Sequence, residues 1–277
     1  MIDLHSHTTC SDGTFSPIEL IQEAYRVGVD TIAITDHDTV DGVEDAINEG
    51  QKLNITVIPG LEFSVTYNGG KLHMLGYFIN HKDEKLCKTL QTLKEKRNQR
   101  NELICEKLQS NNINITINDV NKFADGTVGR PHIAMALIEK GCAASVKECF
   151  DKYFRNGQAG YVSAPRINEE EAIHAIHDAG GIAVLAHPYQ LNLNNEELET
   201  KVKSLKGKGL DGIECYYSKH SNEQTAFYEE LSVKYDLKRT GGSDFHGSVK
   251  PDIALGVGLG TLKIPVTIQS IAPQWYI

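Results

Sequence analysis

No block rich in lysine and arginine occurs in this sequence: 28 basic residues stand against 37 acidic ones, a net charge of −9 over 277 residues. Proteins that grip long duplex DNA do so by neutralising phosphates, so that class is excluded. A small anionic substrate is not, provided a few side chains or metal ions supply positive charge locally. No apolar run approaches the ~18–20 residues of a transmembrane helix. Met1-Ile2-Asp3-Leu4-His5 also lacks the basic and apolar regions of a signal peptide, so the expectation is a cytoplasmic protein without membrane contact. The six cysteines form no C-x-x-C pair, which reads as reduced thiols rather than a disulfide framework or thiolate metal site. Internal repeats and low-complexity segments are absent as well. Apolar residues make up 40% of the chain, enough for a sizeable core. What the chain has in quantity is histidine, eleven in all.

Short apolar runs alternate with helical patterns, the rhythm of β/α units around a mostly parallel sheet. Strands are expected at 2–4, 31–35 and 56–59, at 181–186, 212–215 and 238–242, and in a hairpin formed by 65–67 and 71–78 around Asn68-Gly69-Gly70. Ser16-Pro17-Ile18-Glu19 is a capping box with proline at the first helical position. The rhythm fails between about residues 82 and 160, where charged helical patterns have only a partial apolar stripe. The expected organisation is therefore a barrel from 1–81 and 160–277 with a helical subdomain, 82–159, inserted in it.

Chemistry gathers where the strands end. The first strand leads into His5-Ser6-His7, whose two imidazoles share a face because residues two apart on extended chain point the same way. Asp12 follows in Ser11-Asp12-Gly13, His37 in Thr35-Asp36-His37-Asp38, and Glu62 in Gly60-Leu61-Glu62. His73 lies in the hairpin, His187 precedes Pro188, and Asp244 and His246 close the last strand-like run. Singly, each has an ordinary explanation: a buried core histidine, a turn aspartate, a solvated glutamate. Together, six imidazoles and three carboxylates at or near strand ends point to metal, because sites in parallel α/β folds form there. Such donors suit Zn, Mn or Fe and do not choose among them; manganese is taken as the expected ion, with Zn and Fe as alternatives. Nine ligands exceed the three or four that one catalytic ion takes, which implies two or three ions. Three divalent ions, offset by three carboxylates and one hydroxide, would leave roughly +2, a match for a phosphate dianion.

H-x-H, S-D-G, T-D-H-D, G-x-E, the hairpin histidine, A-H-P and S-D-x-H, in this order, resemble the PHP family, named for polymerase and histidinol phosphatase. The resemblance covers residues 1–80 and about 160–260. It implies an α/β fold, a distorted (β/α)7 TIM-like barrel, with a trinuclear metal centre. The implied ligand sets are His5, His7, Glu62 and Asp244; Glu62, His73 and His187; and Asp12, His37 and His246. Gly129-Arg130-Pro131-His132 and the stretch from Glu214 to His220 are similar to the branch that takes phosphate from nucleotides, 3′,5′-nucleoside bisphosphates among them, and acts on short RNA in the 5′–3′ direction.

A helix opening at Arg130-Pro131 suits an anion. Arg130 and His132 at that helix start, and His220 in the second similar stretch, are the expected catalytic residues. The alternatives are that Arg130 and His132 only hold the insertion against the barrel, and that the loop carrying Tyr216 and His220, either of which could meet substrate, has no ligand role. The expected reaction is phosphoester hydrolysis by a metal-activated hydroxide on a small phosphorylated substrate, carried out by a monomer. Two other readings compete with it: a histidinol-phosphate phosphatase using the same centre, and a non-catalytic metal-binding module. His81, and His174 and His177 beside Glu170 and Glu171, read as solvated side chains, and Cys10 as a small hydrophobe rather than a nucleophile.

Overall fold

The computed structural model describes residues 1–123, 128–163 and 166–273. Strands β1 (Ile2–Asp3), β2 (Thr31–Ile34), β3 (Thr56–Val65), β4 (Leu72–Tyr77), β5 (Ile182–Leu185), β6 (Gly212–Tyr217) and β7 (Lys238–Gly242) follow one another in a single seven-stranded sheet. Neighbours are parallel except at β4, which runs antiparallel to both β3 and β5. The Leu4 N–H donates to the Gly241 carbonyl at 3.1 Å, and Ser6 bridges Phe245 in parallel, so the sheet nearly closes between β7 and β1. The expected α/β barrel is present, and the reversal of β4 is its distortion.

Local chemistry sets the helix boundaries. Ser16 and Glu19 form the capping box that opens α1 (Pro17–Val27), and Gly28, at φ 80°, ends it in the left-handed region. After β2 comes α2 (Val43–Leu53). Between β4 and β5 lie α3 (Glu84–Ser110), α4 (Ile117–Asn121), α5 (Arg130–Glu139) and α6 (Val146–Cys149), the last running into a π turn, Phe150–Phe154. Helices α7 (Glu169–Asp178), α8 (Asn195–Gly207) and α9 (Asn222–Lys234) then alternate with β5, β6 and β7, and α10 (Ile268–Ile271) follows in the tail.

The sequence pattern breaks the chain at Pro59 and starts a hairpin strand at Val65; the structure joins the two as β3. Pro59 pairs with Ile34 of β2, whereas the next residue, Gly60, pairs with Tyr77 of β4. The strand therefore changes partners where a proline cannot donate a ladder hydrogen bond. A Cβ on Gly60 would stand 2.7 Å from the Gly76 carbonyl oxygen and 2.9 Å from that of Ile34, so only glycine fits where the three strands converge. Glu62 consequently lies inside a strand rather than in a loop.

Helix α3 joins two hydrophobic clusters. Leu86, Leu90 and Leu93 pack with barrel residues such as Ile173 and Ile176, while Ile104, Cys105 and Leu108 pack with Ile133, Leu137 and Tyr153. Between the two, at the same three- and four-residue spacing, stand Arg97 and Arg100. That stripe looks partial in the sequence because its middle positions carry charge.

Candidate metal centre

Each expected metal ligand sits at one mouth of the barrel. His5 and His7 follow β1, His37 follows β2, His187 follows β5, and Asp244 and His246 follow β7. His73 reaches the same mouth because β4 is reversed: it pairs with Ser64, near the end of β3. Asp12 is delivered by a turn that Asp36 holds, accepting bonds from the Thr8 N–H at 2.8 Å, the Thr8 hydroxyl at 2.7 Å and the Ser11 hydroxyl.

Glu62, 1% exposed, is the hub. Its Oε1 lies 2.9 Å from both His73 Nδ1 and His187 Nε2, and its Oε2 lies 3.0 Å from His37 Nδ1, 3.4 Å from His7 Nε2 and 3.5 Å from His5 Nε2. Asp244 Oδ1 is 3.3 Å from His7 Nε2 and 3.4 Å from His246 Nδ1, and Asp12 Oδ1 is 3.3 Å from His246 Nε2. Four groups of side chains bring donor atoms within 4.8 Å of one another: His7, Asp12, His37 and His246; His5, His7 and Asp244; His5, Glu62 and His187; and His37, Glu62 and His73.

The fit to divalent ions can be tested on hydrogen bonding. His5 Nε2, His7 Nε2, His37 Nδ1 and His187 Nδ1 are buried and make no aligned hydrogen bond among the described residues, His37 Nδ1 even though Glu62 Oε2 lies 3.0 Å away. Orphaned buried nitrogens are costly, and imidazole nitrogens beside carboxylate oxygens are the donor set of Mn, Zn and Fe sites. The residues fit the ions.

Three residues with strained backbone lie at the site. Asp38 (φ 53°), His187 (φ 27°) and Asp244 (φ 59°) all adopt positive φ, a conformation costing a non-glycine residue about 1–3 kcal/mol. Each is clamped through its own N–H: Asp38 to the Glu62 carbonyl at 3.0 Å, Asp244 to the His5 carbonyl at 2.8 Å, and His187 to Glu214 Oε2 at 2.6 Å. Electrostatics follow the packing. Burial opposes ionisation of Glu62, but His37, His73 and His5 around it hold its carboxyl well below the usual range. Asp12 is likewise held low against burial, chiefly by His246 and His37, and Asp244 chiefly by Lys250 and His246. Burial and neighbouring imidazoles push His37 well below its ordinary value, whereas Asp244 and Glu62 overcome burial to lift His7 to about 9.

Above this cage is a cavity of about 330 Å³. Arg130 lines it; His132 and His220 are not among its lining residues. The His132 ring accepts the Gly129 N–H through Nδ1 at 2.9 Å and so caps α5. His220 lies behind Tyr217, ring centroids 5.1 Å apart, and donates from Nδ1 to the Cys215 carbonyl at 3.0 Å. The Tyr216 hydroxyl is likewise engaged elsewhere, donating to Glu229. His81 pairs with Glu44 at 2.8 Å and His177 with Asp211 at 2.7 Å. Burial pushes the Cys10 thiol up to about 11, too high for a nucleophile at neutral pH.

Several residues escaped the sequence reading. Lys71, Arg97, Arg100, Arg166 and Lys250 join Arg130 around the cavity, a cationic rim in an acidic protein. Arg97 and Arg100 had a signal, since they occupy core-facing positions of the α3 stripe. Lys250 Nζ and the Tyr217 hydroxyl donate to Asp244 Oδ2 at 2.6 and 2.7 Å, leaving Oδ1 to face the imidazoles. Glu214, fully buried, accepts from His5 Nδ1 at 2.9 Å as well as from the His187 N–H. No local pattern marks its role, because both partners come from distant strands.

Fold, cage and relatives together define the class: a metal-dependent phosphoesterase, a hydrolase of phosphate ester bonds built on an α/β barrel. A structure described as a metal-dependent phosphoesterase from Bifidobacterium adolescentis superposes with a TM-score of 0.86 at 30% identity, covering 98% of this chain and 94% of that one. The chain belongs to the PHP domain family, whose profile matches residues 3–240. It is 36% identical over 279 residues to the 5′-3′ exoribonuclease Rnm of Escherichia coli K12, covering 99% of this chain and 93% of the relative. It is 29% identical over 247 residues to a 3′,5′-nucleoside bisphosphate phosphatase of Chromobacterium violaceum, covering 88% and 87%.

Proposed function

We propose that this chain hydrolyses phosphate from 3′,5′-nucleoside bisphosphates and acts on short 5′-phosphorylated RNA in the 5′–3′ direction. His5, His7, Asp12, His37, Glu62, His73, His187, Asp244 and His246 hold two or three divalent ions, manganese foremost. Ions bound there supply Lewis acidity and lower the pKa of water at the attacked phosphate.

The observation that carries the reading is the arginine side of the cavity. Arg130 Nε and Arg166 Nε are buried with no hydrogen-bond partner among the described residues. Burial and the charges of Arg97, Arg130 and Arg166 push Arg100 down to about 8. Arg97 already pairs with Asp38, but the unfilled Nε donors of Arg130 and Arg166 beside Arg100 suit an anion, and we assign them a second phosphate, apart from the one at the metal cage. A substrate with two phosphates satisfies both places: Arg130 and Arg166 bind and orient the second phosphate while the first meets the cage. Tyr217 and Lys250 hold Asp244 in position throughout. The cavity, about 330 Å³, falls in the ~300–1,000 Å³ range of small-molecule sites, too small for a duplex.

Histidinol phosphate fits less well, because it has one phosphate and a cationic amine that the arginines repel. The names of the E. coli and C. violaceum relatives support the nucleotide reading. The same proposal takes residues 82–159 as an inserted helical unit on a barrel of 1–81 and 160–277, supported by the separate cluster around Ile133 and Tyr153; residues 124–127, 164–165 and 274–277 of these units lie outside the described ones. No described helix is long and apolar enough to cross a membrane. Six free cysteines favour a reducing, cytoplasmic setting, and we take the chain to act as a monomer.

The test offers Mn²⁺-loaded protein 3′,5′-bisphosphoadenosine, histidinol phosphate and a short 5′-phosphorylated RNA. Release of phosphate from the bisphosphate and of mononucleotide from the RNA, both abolished by chelation, is expected. Turnover of histidinol phosphate alone overturns the substrate assignment. Undiminished turnover in both Asp12→Asn and His246→Ala variants overturns the catalytic reading of the cage and leaves a metal-binding module.

A further inference from the structure

We propose that Phe150 is the face against which the substrate's nucleobase stacks; this rests on the nucleotide reading above and adds the base to it. The cage and the arginines account for two phosphates and leave the base, a flat ring with an apolar face, without a partner. Phe150 lines the same cavity as Asp12, Glu62 and Arg130, and apart from histidines it is the one aromatic ring among the described lining residues. Val146 and Pro131, from the same helical stretch between β4 and β5, are apolar residues that line the cavity with it.

Phe150 is also held in place. It opens the π turn Phe150–Phe154, and such turns are rare and recur at functional sites. Its ring meets that of Phe154 edge-on, centroids 5.4 Å apart and planes at 86°, and Phe154 is itself buried in the helical cluster. A partly buried ring packed against Phe154 loses little freedom on stacking. Because every base has a π face, stacking of this kind is tolerant of sequence, which suits an enzyme that must accept successive nucleotides. The geometry therefore predicts similar KM values for adenosine and cytidine bisphosphates.

The experiment compares KM for 3′,5′-bisphosphoadenosine with KM for ribose 3,5-bisphosphate, which lacks a base. In Phe150→Leu, which keeps apolar bulk but has no π face, the ratio of nucleotide KM to base-free KM is expected to rise about 5- to 100-fold, the effect of removing one base–aromatic stack. In Phe150→Trp, which restores a larger face, the ratio should return to the wild-type value or fall below it. An unchanged ratio in Phe150→Leu, or a ratio in Phe150→Trp as high as that of the leucine variant, overturns the assignment of Phe150 while leaving the phosphatase reading intact. Wild-type protein that turns over neither bisphosphate overturns the phosphatase reading, and this inference with it. If the leucine variant fails to fold, the tryptophan variant decides alone: a raised ratio overturns the proposal and an equal or lower one supports it.

Discussion

Replacing Glu214 by glutamine tests whether a buried carboxylate outside the ligand set tunes the cage. Its two oxygens accept from different partners, Oε1 from His5 Nδ1 at 2.9 Å and Oε2 from the His187 N–H at 2.6 Å. Glutamine has the same shape but keeps one acceptor; its amide nitrogen must face the other donor. One hydrogen bond to a charged group is lost, about 1.5–3 kcal/mol. The loss falls on the orientation of His5 and on the strained backbone of His187, and outer partners of this kind are worth about 10–100-fold in metal affinity. Calorimetric titration of metal-free protein with Mn²⁺ should show at least one site weakened by about that factor in Glu214→Gln, with circular dichroism unchanged. Affinities within about twofold of wild type at every site, in a folded variant, would refute the reasoning and reduce Glu214 to packing.

Arg130→Ala should lower kcat/KM for a 3′,5′-bisphosphate by about 10–100-fold, the value of a charge-assisted hydrogen bond, and have little effect on a nucleoside monophosphate; an equal loss on both would remove Arg130 from the second-phosphate site. Burial holds His220 down at about 4, against about 6.5 in an unfolded chain. The unfolded state therefore takes up a proton that the folded state refuses, and stability falls as pH drops from about 6.5 towards about 4. Urea unfolding of metal-free protein at pH 7 and pH 5 should show a smaller loss for His220→Gln than for wild type, by roughly 1–2 kcal/mol; equal losses would contradict the assignment. Gly242→Ala would place a Cβ 2.3 Å from His5 Cβ and 2.4 Å from the His5 nitrogen. It should lower stability by about 1–3 kcal/mol or more and weaken metal binding with it, and an unchanged Tm would count against the packing argument.

Much of the fold is legible locally. The box at Ser16 and Glu19, the glycine stop at Gly28 and the apolar runs of β2, β5 and β7 depend on neighbours a few residues away, and the structure places those elements within a residue or two of their expected positions. The exception is β3, where Pro59-Gly60 reads as a break. Whether such a pair ends a strand or hands it to a new partner depends on β4, whose own direction no local pattern encodes. The candidate ligands were legible for a related reason: histidines and acids two apart, or directly after apolar runs, carry their chemistry in their spacing.

The sequence by itself determined the class of chemistry, because donor-rich residues that recur at strand ends of an α/β pattern have few other uses. Only the tertiary structure decided that five imidazoles meet the single carboxylate Glu62, that Glu214 ties His5 to His187, and that Arg97, Arg100, Arg130 and Arg166 surround one cavity. The physical reason is distance along the chain. Periodicity and capping act over a turn or a strand, whereas these groups are brought together by barrel closure and by the packing of α3 across two hydrophobic clusters, and a linear pattern does not record which faces those elements present to one another.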